Sequence, residues 1–153
     1  MILNEKSFLF IDEPSFPSRQ FCHYLTEKNS KVIGTGENTR NLLRMMYDHL
    51  VEDYCYCDFS DELSISQMSV YLKNHHALDG VFICQNMFKE ASPQKQKIIK
   101  SLHKNIYLVD EPEINNFKIS KLKKSPETTY SYLFNQVDEL NSLFNQQFLT
   151  NAT

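Results

Sequence analysis

The segment Lys6-Ser7-Phe8-Leu9-Phe10-Ile11-Asp12 decides the fold class of this 153-residue chain. Four consecutive apolar residues end at an acidic one, which is typical of a short strand buried on both faces of a parallel sheet. Similar runs follow at Val32-Ile33, at residues 54–57 and at residues 80–84. A helical pattern separates each run from the next, and crossovers of that length favour parallel pairing. The sequence therefore predicts an α/β fold.

We expect a three-layer, Rossmann-like domain over residues 1–112, with a parallel sheet of about five strands flanked by helices. Residues 105–110 fit either the fifth strand or part of a helix. Residues 113–126 are polar and lysine-rich, which predicts a connection. From 127 to 150 the helical spacing of apolar residues predicts a long C-terminal amphipathic helix, packed on the domain or on a partner. Its candidate interface residues are Leu133, Val137, Leu140 and Phe144.

Composition narrows the class of protein. Hydrophobic residues make up 41% of the chain and aromatic residues 12%, which excludes a disordered sequence. No apolar run reaches the length of a membrane span and the N-terminus lacks the pattern of a secretory signal, so we expect a cytoplasmic protein without membrane insertion. The four cysteines are then expected to be free thiols rather than disulfides or metal ligands. No arginine follows Arg44, and the lysines beyond it accompany no base-reading motif, so we expect no nucleic-acid partner.

Glycine is scarce, and its placement excludes one class of site. The chain has only three glycines, Gly34, Gly36 and Gly80. None of them lies in the turn after the first predicted strand. A glycine-rich phosphate loop at that turn is therefore excluded.

Four features in order resemble the short-chain dehydrogenase/reductase family. A first strand leads through an irregular turn into a helix that contains Arg19. Residues 31–38, Lys-Val-Ile-Gly-Thr-Gly-Glu-Asn, are similar to the second strand and its following turn. Residues 58–61, Asp-Phe-Ser-Asp, resemble the family's Asp-x-Ser/Thr-Asp, and residues 78–84 resemble the strand that leads into its Asn-Asn-Ala-Gly motif. The resemblance covers residues 6–106 and implies a Rossmann-like fold.

The residues that carry the family's chemistry are absent. In the family, the glycines of TGxxxGxG let the backbone approach a dinucleotide pyrophosphate. Here Asp12, Phe16 and Ser18 stand at those positions, so we expect no bound cofactor. The positions where a relic of the cofactor site would lie are Asp12, Ser15, Ser18, Glu37, Asp58 and Phe59.

The family's catalytic Tyr-x-x-x-Lys pair is also missing. Tyr130 is followed four places later by Phe134, and Tyr132 by Gln136. Without the lysine no neighbouring cation lowers a tyrosine pKa for proton transfer. The resemblance therefore implies a non-catalytic protein-interaction or regulatory module that acts with a protein partner or as a homodimer. An NAD(P)-binding oxidoreductase with an atypical cofactor turn is an alternative.

A second resemblance, to response-regulator receiver domains, gives another alternative. Residues 10–14, Phe-Ile-Asp-Glu-Pro, resemble the acidic end of their first strand, and Asp58 would occupy the phosphoacceptor position. Under this alternative Asp12, Glu13 and Asp58 would hold Mg²⁺, which prefers oxygen ligands. Asp110 and Glu111 stand where that family has its essential lysine.

Overall fold

Strands and helices alternate through the computed structural model, which describes residues 4–113, 116–122 and 130–134. The strands are β1 (Ser7–Ile11), β2 (Lys31–Gly36), β3 (Asp53–Tyr56), β4 (Gly80–Cys84), β5 (Ile106–Glu113), β6 (Asn116–Leu122) and β7 (Tyr130–Phe134). The helices are α1 (Ser18–Glu27), α2 (Thr39–Tyr47), α3 (Glu62–His75), α4 (Gln85–Glu90) and α5 (Pro93–Ser101). The predicted α/β class is confirmed.

All of these strands belong to one sheet, in the order β3-β2-β1-β4-β5-β6-β7. The strands from β3 to β5 pair in parallel, whereas β6 is antiparallel to β5 and β7 is antiparallel to β6. The order β3-β2-β1-β4-β5 is that of Rossmann folds, in which the strand order reverses between β1 and β4. The carboxyl ends of β1 to β5 therefore share one edge of the sheet, where such folds bind their ligands.

The central strand β1 shows why the sheet is covered on both sides. Successive side chains of a strand point to opposite faces, so Phe8 and Phe10 enter one core cluster while Leu9 and Ile11 enter another. The first cluster also contains buried residues of α1 and α2, and the second contains buried residues of α3, α4 and α5. The sheet thus lies between two helical layers, as the unbroken apolar run predicts.

The segment predicted as a polar connection, residues 113–126, contains strand β6. Phe117 and Ile119 are buried in the first cluster, and Leu122 is buried in the second. The burial of these apolar side chains stabilises the pairing of β6 with β5. The lysines between them, which had indicated a loop, do not prevent this pairing. Residues 106–113 form β5, so the open question about 105–110 is resolved in favour of a strand.

The predicted helix over residues 127–150 is not found where the structure describes this segment. Tyr130–Phe134 form β7, with Phe134 in register with Ile119 of β6. The alternation of aromatic residues at 130, 132 and 134 fits a strand as well as a helix, and the open edge of β6 offers a pairing partner. Of the candidate interface residues, Leu133 therefore lies in a strand. Val137, Leu140 and Phe144 lie outside the described residues.

Within the described ranges no helix has both the length and the apolar character that a membrane crossing requires.

Candidate functional site

Two adjoining clefts open at the carboxyl edge of the parallel strands, with volumes of about 300 and 280 Å³. They share Glu13, Phe59, Met87 and Lys95 as lining residues. Of the residues singled out from sequence, Asp12, Glu37 and Asp58 line the smaller cleft and Ser15 lines the larger one. Ser18 lines neither. The structure therefore brings most of the predicted relic positions together, at the edge where the strand order reverses.

The turn between β1 and α1 is closed by the carboxylate of Asp12, which is only 8% exposed. Ser18 donates a hydrogen bond from Oγ to Asp12 Oδ1 at 2.7 Å, and Asn41 Nδ2 donates to Asp12 Oδ2 at 3.0 Å. Asp12 thus joins the start of α1 to α2. Both carboxylate oxygens are already engaged by the protein's own donors.

The ring of Phe16 fills the space beside this turn. It is 8% exposed and lies 6.0 Å from the Phe10 ring and 5.8 Å from the Phe117 ring, between centroids. The amides of the turn are also engaged, because the Phe16 N–H donates to the Glu13 carbonyl and the Ser18 N–H donates to the Phe16 carbonyl. A glycine-rich turn offers its amides and the space beside them to a pyrophosphate, whereas here two of the amides donate within the turn and a buried phenyl ring lies beside them.

Gly36, at the end of β2, explains how closely the second strand approaches this turn. A Cβ atom at Gly36 would lie 3.2 Å from the carbonyl oxygen of Asp12 and 3.3 Å from its Cβ. The glycine therefore serves the approach of β2 to the Asp12 backbone.

Glu37 and Asp58 form a carboxyl pair in the smaller cleft. Hydrogen bonds from the Ser60 hydroxyl at 2.5 Å and the Ser60 amide at 2.8 Å lower the pKa of Asp58. A hydrogen bond with Asp58 raises the pKa of Glu37, and Asp58's negative charge adds to that shift. Lys95 lies close enough to favour the charged form of both groups.

A dinucleotide fits only one part of this edge. Glu37 stands at the end of β2, where Rossmann folds place the acidic residue that hydrogen-bonds a ribose hydroxyl. The turn at which Rossmann folds bind the pyrophosphate carries, in contrast, the buried Phe16 and the carboxylates of Asp12 and Glu13, which line the cleft. The residues present do not fit the diphosphate of NAD(P).

The receiver alternative conflicts with the sheet topology. Receiver domains share the flavodoxin order 2-1-3-4-5, which makes the first and third strands neighbours. Here β2 lies between β1 and β3. The three proposed Mg²⁺ ligands, Asp12, Glu13 and Asp58, all line the smaller cleft, yet Asp12 is held by Ser18 and Asn41. Among the described residues no group of three or more His, Cys, Asp or Glu side chains is placed to hold a metal.

Sequence reasoning missed a polar cluster at the opposite edge of the sheet. Asp53 Oδ2, at the start of β3, accepts hydrogen bonds from Tyr71 Oη at 2.5 Å and pairs with His76 Nε2 at 2.8 Å. Burial alone would raise the pKa of Asp53, but these bonds and one from the Tyr54 amide lower it overall. The same contact raises the pKa of Tyr71 to about 12. The cluster fastens the end of α3 to β3.

The four cysteines are free thiols, and three of them, Cys22, Cys57 and Cys84, are buried; Cys55 is only partly buried. Burial raises the pKa of all four, to about 12 for Cys57. The thiolate is the reactive form of cysteine, so these groups are poor nucleophiles at neutral pH.

In comparisons with known proteins, no protein-family model and no curated protein matches this sequence.

Proposed function

We propose that this chain is a non-catalytic, Rossmann-like module, related to short-chain dehydrogenases in fold but without their cofactor and catalytic groups. It acts through its surfaces on a protein partner or on a second copy of itself. The observation that carries this proposal is the closed turn between β1 and α1. Each carboxylate oxygen of Asp12 accepts an internal hydrogen bond there, and the Phe16 ring is part of the core.

Electrostatics supports the same conclusion. Asp12 and Glu13 line the cleft beside this turn. A phosphate about 4 Å from a carboxylate meets a repulsion of about 4 kcal/mol at an effective dielectric constant near 20. Repulsion of that size is enough to abolish micromolar binding of a dinucleotide.

Calorimetric titration with NADH and NADPH tests this proposal. We expect no binding at ligand concentrations up to about 1 mM, a range in which even weak complexes are detected. The Glu37→Gln variant is the matched control, because it removes the carboxylate that follows β2, where Rossmann folds bind the ribose, and does not alter the β1–α1 turn. Micromolar binding of either nucleotide that Glu37→Gln weakens would refute the proposal and favour the NAD(P)-binding alternative.

A second candidate function rests on the carboxyl pair itself. Glu37 and Asp58 line a cleft at the ends of β2 and β3, where an acid binds ribose hydroxyls in Rossmann folds. A nucleoside without phosphates would use these acids and avoid the closed turn. Titration with adenosine separates the two candidate functions. The second is supported if the chain binds adenosine but not NADH, and if the Glu37→Gln variant no longer binds adenosine. Absence of adenosine binding rejects it.

A further inference from the structure

An open groove separates α3 from α5 on the outer side of one helical layer. Its volume is about 660 Å³. Ile65, Ile98 and Leu102 provide apolar lining, and Val70 on its wall is 58% exposed. Val70 is one of the large apolar side chains that the described residues leave exposed, and it adjoins the apolar lining of the groove.

The charges along the groove are distributed unevenly. Lys73 lines it from α3 and Lys97 from α5, and neither forms an ion pair with any carboxylate of the described residues. The acid that lines the groove, Glu62, lies where α3 begins and accepts a hydrogen bond from Gln94. The groove therefore presents two exposed cations, one on each wall, beside an apolar floor.

We propose that this groove binds the segment 137–148 of a second copy of the chain. The sequence predicts an apolar stripe there at helical spacing, formed by Val137, Leu140, Phe144 and Phe148. At about 100° per residue, Asp138 and Glu139 lie on the polar side of such a helix, about 115° and 145° from the centre of that stripe. Segment 135–153 contains no lysine or arginine. An apolar stripe whose polar side carries acids and no basic residue complements an apolar floor bordered by two lysines, in the manner of an amphipathic helix bound in a groove.

The reach of the chain favours a second copy over the same copy. β7 is parallel to β5, so Phe134 lies at the carboxyl edge of the sheet, whereas Lys73 is near the end of α3, at the opposite edge. Glu62 and Lys73 are about 16 Å apart along α3. β7 and β4 are separated by three strand spacings, or about 14 Å. Asp138 follows Phe134 by four residues, so it can lie at most about 14 Å from it. To reach Lys73 of the same copy it would have to cover about 16 Å along α3, about 14 Å across the strands and the thickness of α5, which is too far.

This inference rests on the proposed function as an interaction module, and it names the partner. It is tested by charge exchange in the full chain. One variant carries Lys73→Glu and Lys97→Glu, and the other carries Asp138→Lys and Glu139→Lys. In each variant alone, groove and segment have like charges, so we expect the dimer Kd measured by sedimentation to rise at least about tenfold. In a mixed dimer, the groove with glutamates faces the segment with lysines, and the unchanged groove faces the unchanged segment. Both contacts then join opposite charges, so we expect an equal mixture of the two variants to dimerise with about the wild-type Kd.

The control is Lys100→Glu, which removes an exposed lysine of α5 that does not line the groove and should leave the dimer unchanged. Circular dichroism establishes that each variant is folded. A wild-type chain that is monomeric at about 100 μM overturns the inference, as does a mixture that stays monomeric. Weakening by Lys100→Glu equal to that of the groove variant also overturns it, because the effect would then follow net charge alone. None of these results affects the nucleotide titrations, so the two proposals fail separately.

Discussion

Replacing Asp12 with alanine removes the group that joins the β1–α1 turn to both helices of its layer. Two hydrogen bonds to a buried carboxylate are lost, and a bond to a charged group contributes about 1.5–3 kcal/mol. Part of that loss is recovered, because Ser18 Oγ already lies 3.2 Å from the Phe16 carbonyl and Asn41 is partly exposed to water. We therefore expect Asp12→Ala to lower the free energy of unfolding by about 2–3 kcal/mol.

Urea unfolding measures this change, and a double-mutant cycle with Ser18→Ala isolates the pairwise part. We expect a coupling energy of about 1–2 kcal/mol between Asp12 and Ser18, with the urea m-value unchanged. The matched control is Glu13→Ala, whose carboxylate accepts a hydrogen bond only from exposed Ser15; its effect should stay within about 0.5 kcal/mol. A coupling energy near zero, or equal losses from Asp12→Ala and Glu13→Ala, would refute the anchoring role of Asp12.

Three further outcomes follow from the core and from the cluster at the start of β3. Phe21→Ala should destabilise the chain by about 3–5 kcal/mol in thermal or urea unfolding, because the fully buried Phe21 ring contacts four other aromatic rings. The control Tyr47→Ala alters a side chain that is 74% exposed and should change stability by less than about 0.5 kcal/mol in the same experiment. Tyr71→Phe should lower stability by about 1 kcal/mol by removing the hydroxyl bound to Asp53, and an unchanged urea midpoint would show that water replaces that bond fully. Folding lowers the pKa of Asp53, so its contribution to stability is present above the ordinary pKa of an aspartate, near 4, and is lost as pH falls below it. Asp53→Asn should therefore make the loss of stability at acidic pH less steep than in the wild-type chain. An equally steep loss in both proteins would contradict the lowered pKa.

Much of the fold is readable from the sequence because strands buried on both faces leave an unambiguous pattern. The run from Phe8 to Ile11 has no polar residue, and the structure places its members alternately in two clusters. The antiparallel addition was not readable in the same way. Phe117 and Ile119 lie among lysines, and only the open edge of β5 shows that they pair. A tertiary partner, which no local pattern contains, decides such a segment.

The candidate site, like the fold, was predictable from the sequence only in part. The ends of parallel strands share one edge, so Glu37, Asp58 and Asp12 were expected to meet, and they do line one cleft. The hydrogen bond from Asn41 to Asp12 depends on how α2 packs beside the turn, which residue spacing does not reveal. The cluster around Asp53 was missed for a related reason. His76 and Asp53 are 23 positions apart and meet only because α3 returns along the sheet to the start of β3.

The contact between Phe16 and Phe117 has a consequence for the cooperativity of unfolding. A connection between a strand and a helix usually opens locally, at a free-energy cost far below that of global unfolding. Here the connecting turn places a ring 5.8 Å from a ring of β6, more than 100 residues later in the chain. Opening the turn must therefore break a core contact with β6. The amides of this turn should exchange with solvent more slowly in the wild-type chain than in a Phe117→Ala variant, which removes that contact.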